Sequence, residues 1–437
     1  MTAISIAGVF IGLVVLVFCS MKGLSVFISA ILASVVIALT GAVSLEQAIL
    51  TDFMSGFVGF ITSNFMVFAA GALMGKAYEI THGAQAVARL FIRLFSKKLA
   101  PFALLIAIML MTGGGIAGFV LAFAMFPIAA EIFREVDAPR AIIPGLIITG
   151  CCTASSWGAF VAQPVNNIYA TTFNTTLGGA AVPSIIMMIV SVITSCIFLQ
   201  IFLVRARKRG EHYVPSQYDV PSSSENLPNG VVALIPLIVA LLLINVKING
   251  EPILPTAFGI FVGAVLAIVL MFKSKTDDTS IPVHIGNAFQ NALTSIGNTA
   301  AMSAVGTVAQ ATVGFTVMIN GLTSMGGNPL ISAAICAGIA CFVTGGATGG
   351  TSMIGPTLAS TYGAMGVDIA MLGRIVVATG HITGTLPNGG FINTTITGIA
   401  HDTYKNCFKY SFFLCTVANL VAVIVGIVVI SIMGIYV

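Results

Sequence analysis

Apolar and polar positions along the chain alternate on a long period. Stretches close to the ~20 residues that a helix needs to cross a bilayer core run over 2–20, 24–44, 55–78, 140–162, 181–204, 230–247, 252–272, 295–320, 366–388 and 410–435, and predict ten transmembrane spans. Two further apolar segments, 101–130 and 329–362, are too long for one span. Gly113-Gly114-Gly115 interrupts the first, and Gly345-Gly346 with Gly349-Gly350 the second. Each therefore predicts a re-entrant hairpin that enters and leaves on one side. The first run has no basic residue before it and Lys22 after it, so it reads as a span and not a cleaved signal.

The parts recur in order. Residues 1–204 read as two spans, a third span, a Gly-rich hairpin (about 101–130), a broken helix (about 140–167) and a closing span; residues 230–437 repeat that order with a hairpin at about 329–362 and a broken helix at about 366–394. Each copy holds an odd number of crossings, so the second copy is expected upside down relative to the first. Inverted repeats built on discontinuous helices are a transporter architecture. Between the copies, 205–229 is polar and Pro/Ser-rich and reads as a cytoplasmic linker. At 85–97, Gln85, Arg89, Arg93 and Lys97 recur every fourth residue around Leu90, Phe91, Leu94 and Phe95. That spacing predicts a basic amphipathic helix at the inner interface.

Composition narrows the class. Of 437 residues 57% are hydrophobic and 7% charged, too few charges to clothe a water-facing surface. The expected class is an all-α integral membrane protein, and a soluble enzyme or a disordered chain is excluded. The net charge of +4 follows from basic cytoplasmic loops and needs no nucleic-acid partner. The eight cysteines sit in apolar runs without a C-x-x-C pair, so they read as small core residues and no metal site is expected.

If the turn at Lys22 is cytoplasmic, the loops at 79–100, 131–140, 205–229, 273–290 and 401–409 share its side and hold nearly all the Lys and Arg. Only Lys247 and Arg374 fall opposite. That asymmetry fits the positive-inside rule if both broken segments are re-entrant. Both termini are then outside, in what is expected to be a bacterial inner membrane.

Candidate chemistry lies at the breaks. CTASSWGAFVAQPVNN (152–167) and HITGTLPNGGFINT (381–394) interrupt apolar helices with Gly, Pro and small polar residues. Pro164 and Pro387 oppose regular helix, and the backbone groups so freed are tolerated in a bilayer only where they are buried in protein or line a cavity. Half-helix N-termini present N–H groups and partial positive charge, which suit a carboxylate. One side of the expected substrate site is Thr112, Gly113, Gly114, Gly115, Thr153, Ser155, Gln163, Asn166 and Asn167. The other is Thr348, Gly349, Gly350, Thr351, Ser352, Thr383, Thr385, Asn388, Asn393 and Thr394. The hairpin glycines also suit simple close packing of helices. His381 is the one histidine well inside a predicted span and is the expected proton-coupling group. No Asp or Glu lies mid-span, so Na⁺ held by hydroxyls and carbonyls is the alternative coupling ion.

Four strings carry a family resemblance: FAAGALMGKAYEITHGAQAVARL (68–90), GGGIAGFVLAFAMFPIAAEIFREVDAPRAIIPG (113–145), QPVNNIYATTFNTT (163–176) and TGTLPNGGFINTT (383–395). In order and spacing they resemble the gluconate permease family of the ion transporter superfamily, over nearly the whole chain, and look most like its D-β-hydroxybutyrate permease branch. In the first hairpin GGGIAGF stands where gluconate permeases carry an acidic residue, and Asn388 stands where the hydroxybutyrate-like branch commonly has His. The resemblance implies a homodimeric secondary symporter working by elevator-type alternating access, with no cofactor.

The expected function is symport of a small hydroxylated monocarboxylate, 3-hydroxybutyrate or gluconate, driven by H⁺ or alternatively Na⁺. Its expected partners are that solute, the lipid bilayer and a second copy of the chain. Two other classes stay open. An intramembrane hydrolase would use Ser155, Ser156 or Ser352 as nucleophile with His381 as base, and a channel would need a continuous selective pore.

Overall fold

The computed structural model describes residues 2–22, 24–114, 116–161, 163–219, 227–248, 251–275, 278–323 and 328–435. In chain order the helices are α1 (Thr2–Met21), α2 (Val26–Gly41), α3 (Met54–Ile80, led in by a π-helical segment Gln47–Phe53), α4 (Gly83–Gly113), α5 (Gly118–Glu135), α6 (Ile142–Cys152), α7 (Ala154–Trp157), α8 (Pro164–Thr172) and α9 (Ala181–Lys208). There follow α10 (Gly230–Asn245), α11 (Thr256–Met271), α12 (Ile281–Gln310), α13 (Val313–Thr323), α14 (Pro329–Thr344), α15 (Ala347–Gly363) and α16 (Ile369–Thr383). Last come α17 (Gly390–Asn393), running into a π segment Thr394–Ile399, then α18 (Tyr404–Ser411) and α19 (Ala418–Met433), joined through Phe412–Val417. A two-residue antiparallel pair, Lys247–Ile248 with Glu251–Pro252, connects α10 to α11.

Six helical stretches among the described residues are long and apolar enough to cross a membrane: Thr2–Met21, Gln47–Ile80, Gly83–Gly113, Ala181–Lys208, Thr256–Ser274 and Tyr404–Met433. The expected spans at 24–44, 140–162, 230–247 and 366–388 are shorter helices of 10–17 residues. The expected span at 295–320 is corrected: α12 runs from Ile281 to Gln310, and α13 is a separate helix. The hydroxyl face of α12 packs inside protein: Thr299 lies against Gly390, Ser295 against Gly398, and Thr307 against Gly56 of α3.

Length alone would also make α4 a single span. Ser96, at φ 66° and ψ 162°, divides it into a first section and a hairpin arm. Arg89 and Arg93 on the first section and Lys97 just past the break are exposed, but Gln85 is buried, so the polar stripe begins one turn later than its spacing implies.

The arm of α4 after Ser96 packs on α5, and α14 packs on α15 about a turn at 345–346. Asn328 caps α14 through its side-chain oxygen, 2.9 Å from the Leu330 N–H, with Pro329 at the first helical position. The helix ends on Gly345 at φ 67°, a left-handed conformation that a side chain disfavours. Close approach fixes each hairpin to its broken helix. A Cβ on Gly150 of α6 would lie 2.4 Å from Ile108, and one on Gly380 of α16 would lie 2.9 Å from the Cys341 sulfur.

Contacts between the two stretches recur with the partners exchanged. α1 packs on α2 and α13, and α10 packs on α11 and α4; α2 lies on α12, and α11 on α3. One apolar cluster accordingly joins α3 to α6 with α10 and α11, a second joins α14 to α16 with α8 and α19, and a third joins α1 and α2 with α12 and α13. The buried hydroxyl of Tyr78 on α3 donates to the carbonyl of Ala233 on α10, tying one stretch into the other.

Candidate functional site

A cavity of about 470 Å³ lies where the hairpin turns and the helix breaks meet. Its wall is Ala117, Gly118 and Phe119 from the first hairpin, Thr344 to Gly349 from the second, and Cys151, Cys152, Ser156, Gln163, Pro164 and Val165 from the first break. His381, Gly384, Thr385, Gly390 and Phe391 come from the second break, and Phe60, Asn64, Thr299 and Ser303 from α3 and α12. No Asp, Glu, Lys or Arg lines it among the described residues.

Four helices begin at this cavity. The first turns of α5, α8, α15 and α17 all contribute to the wall, and none is capped by a side chain. Pro164 opens α8, which suits its missing N–H and fixed φ. Convergent N-termini supply positive potential without a formal charge. Three helices end there: α6 at Cys152, α14 at Thr344 and α16 just before Gly384. Thr344 and Thr385 donate their hydroxyl hydrogens to the Ala340 and His381 carbonyls at 3.0 and 2.8 Å, so oxygen lone pairs remain available.

His381 is buried with both ring nitrogens engaged. Nδ1 lies 2.8 Å from the Val377 carbonyl, which can only accept, and Nε2 lies 2.8 Å from the Ser156 hydroxyl. That fixes the proton of a neutral imidazole on Nδ1 and leaves Nε2 to accept from Ser156.

Among the residues singled out from the sequence, Gln163, Thr348, Gly349, His381 and Thr385 line the cavity. Others hold its frame. Thr112 donates to the Ile108 carbonyl at 2.8 Å while its own carbonyl accepts from Gln163 at 2.6 Å. Gly113 and Gly114 lie at the end of α4 outside the wall, and Gly115 falls outside the described residues. Thr153 and Ser155 are buried and donate to the Thr149 and Gly150 carbonyls, both at 2.7 Å. Asn166 turns away from the cavity: its amide donates to the carbonyls of Ser156, Gly158 and Val161 at 3.0 to 3.1 Å. Asn167 is exposed.

In the second stretch Gly350 and Thr351 are buried between the hairpin arms, and Ser352 is exposed with its hydroxyl on the Thr348 carbonyl. Thr383 is half-buried beside the break. Asn388 donates to the Phe342 carbonyl, Asn393 accepts from Thr397 and Tyr404, and Thr394 meets Thr299 hydroxyl to hydroxyl.

Sequence reasoning missed Asn64, Thr299, Ser303 and Arg374. A hydroxyl at every fourth position, Ser295, Thr299, Ser303 and Thr307, was a readable stripe on one face of a helix. Arg374, which lies within the expected span 366–388, is completely buried. It donates to the carbonyls of Trp157, Gly158, Leu177 and Gly179 and to Oδ1 of Asn166, and stacks 3.9 Å from the Tyr169 ring centroid.

A second cavity, of about 200 Å³, is strongly charged, with Lys76, Glu79, His82, Glu131, Arg134, Arg140, Asp219 and His401 in its wall. α3, α5 and α12 line both cavities. Phenylalanines separate the two: Phe119 lies 4.4 Å from Phe68 and 5.1 Å from Phe391 between ring centroids, and Phe68 lies 6.1 Å from Phe123. Residues 212–219 of the linker fold over this charged end. Asp219 receives Arg140 Nε at 2.8 Å and the Tyr213 hydroxyl at 2.7 Å, and Tyr218 lies over His401 at 4.2 Å.

No protein-family model matches the chain. Over an alignment of 444 residues, covering 92% of this chain and 94% of the other, it is 23% identical to a protein of Bacillus subtilis (strain 168) described as the uncharacterized transporter YxjC, and it is to that full-length protein that the chain is similar.

Proposed function

We propose that this chain is a secondary active symporter of a small hydroxylated monocarboxylate, such as 3-hydroxybutyrate or gluconate, in the manner of the gluconate permease family. The observation that carries the reading is the convergence of four uncapped helix N-termini on a cavity free of acidic side chains. Backbone N–H groups and aligned dipoles stabilise a carboxylate there, while Asn64, Ser156, Thr344 and Thr385 meet the hydroxyls of the same solute. The cavity falls within the ~300–1,000 Å³ usual for small-molecule sites. The similarity to a transporter along nearly the full length supports the class.

The exchanged contacts of the two stretches support two inverted repeats, 1–204 and 230–437, joined by a cytoplasmic linker. On this reading the hairpins and broken helices move together against the remaining helices in a homodimer, in the inner membrane, with both termini outside. His381 is the proton-coupling group. The carbonyls at the ends of α6, α14 and α16 are the alternative, a Na⁺ site.

The test is uptake of radiolabelled 3-hydroxybutyrate and gluconate into proteoliposomes under an imposed pH gradient and, separately, a Na⁺ gradient. Uptake driven by the pH gradient and lost in His381→Gln supports proton symport. Uptake driven by Na⁺ alone moves coupling to the carbonyl ends, and uptake under neither overturns the choice of solute.

One observation favours a second reading. Ser156 within 2.8 Å of His381 is the spacing of a nucleophile and its base. Hydrolysis of a p-nitrophenyl ester by the purified protein, abolished in Ser156→Ala, would establish that reading over transport.

A further inference from the structure

The guanidinium of Arg374 is a full positive charge inside the protein with no carboxylate within ion-pair distance among the described residues. Asp368, at the start of the same helix, turns its Oδ1 to the N–H groups of Ala370 and Met371 at 2.9 and 3.0 Å. The other ligands of Arg374 are neutral: four carbonyls, the Asn166 side-chain oxygen and the Tyr169 ring. Carbonyl dipoles make the buried cation tolerable, but they do not cancel its charge at a distance.

The loop that Arg374 holds is part of the cavity wall. Its partners Trp157, Gly158 and Asn166 are interleaved with the lining residues Ser156, Gln163, Pro164 and Val165. Along α16, Arg374 precedes His381 by seven residues, about 10 Å of helix rise. With no charged side chain in the lining, this cation is the formal charge held against the cavity wall.

We propose that Arg374 is the specificity-determining charge of the cavity, giving it preference for a monoanion over the uncharged form of the same solute without touching it. The proposal rests on the carboxylate reading above. A unit charge about 10 Å away, in the effective dielectric of a protein, favours a monoanion by roughly tenfold in affinity. A purely structural arginine would affect acid and neutral analogue alike.

The experiment measures binding of 3-hydroxybutyrate and of its uncharged amide, 3-hydroxybutyramide, to the purified full-length protein. The variants are Arg374→Gln, Arg374→Met and Arg374→Lys. Arg374→Met, a second uncharged side chain that leaves the Asn166 amide on its three carbonyls, serves if Arg374→Gln does not fold. The expected result is that Arg374→Gln or Arg374→Met lowers the acid-to-amide affinity ratio about tenfold while Arg374→Lys keeps it. An unchanged ratio in the neutralised variants, or an equal fall in Arg374→Lys, overturns the proposal. If the wild-type protein binds neither compound, the solute reading fails instead, and the same ratio is then measured on the acid and amide of the solute that does bind.

Discussion

The side-chain amide of Gln163 donates to the carbonyl of Thr112 at 2.6 Å, so the first helix break is pinned to the end of the first hairpin arm. The same amide reaches the Ile116 carbonyl at 3.1 Å and bridges the hairpin turn. Asn388 makes the corresponding bond in the second stretch, to the carbonyl of Phe342 near the end of α14. Each break therefore carries an amide bonded to carbonyls near a helix end, and each hairpin is fastened to the break that follows it.

Removing either amide breaks a buried hydrogen bond, which costs ~0.5–1.5 kcal/mol; the Phe342 carbonyl keeps the Gly345 N–H at 3.3 Å. Gln163→Ala and Asn388→Ala are each expected to lower the melting temperature followed by a thiol-reactive dye. Because the two amides act on different hairpins, the double variant should show nearly the sum of the single losses. A double variant no less stable than the worse single one would mean that both bonds serve one unit.

Asn166 is expected to behave as a structural residue. It satisfies three carbonyls of the 156–161 loop and accepts from Arg374. Asn166→Ala strands those groups at once, so it should reduce the yield of folded, monodisperse protein. From sequence the same substitution is expected to abolish uptake with expression intact; size-exclusion chromatography of the purified variant separates the two outcomes.

That contrast marks what a linear reading can reach. Glycine clusters and the prolines at 164 and 387 announce hairpins and breaks, because each acts on its own backbone within a few residues. Which polar side chain faces the cavity depends on partners far along the chain. Asn166 and Gln163 stand three residues apart in the same string, yet one faces the loop backbone and the other lines the cavity. The role of Arg374 is not legible from its neighbours because its carbonyl partners, at 157, 158, 177 and 179, lie some two hundred residues earlier. The α12 stripe differs: its hydroxyls are legible, but apolar length alone does not reveal them.

Docking of the linker should depend on pH. Burial pushes the Asp219 carboxyl up, but the hydrogen bonds from Arg140, the Ser216 N–H and Tyr213 outweigh it and hold the group below its ordinary value. A depressed carboxyl contributes stability that is present above its unfolded value, about 4, and lost as pH falls through the folded one. Hydrogen exchange of the amides at 212–219, corrected for intrinsic rates, should therefore be slow at pH 6 and quicken as pH falls through that depressed value. Asp219→Asn should make it fast at pH 6. Slow exchange in that variant would mean that the contact of Tyr218 with His401 is sufficient to hold the linker.

The aromatic layer yields the last expectation. Phe119 touches Phe60, Phe68 and Phe391 from one position, and it stands where α5 passes from the uncharged cavity toward the charged one. Truncating it removes the ring common to these contacts, whereas Phe68→Ala would leave Phe119 on Phe60 and Phe391. Phe119→Ala should thus join the cavities. The readout is Cys152, half-buried in the wall of the larger cavity. A small charged thiol reagent added from the side of Arg134 and Arg140 should modify it many times faster in Phe119→Ala than in the unaltered protein or in Phe68→Ala. Equal rates in all three would mean that the barrier lies elsewhere and that these rings serve packing alone.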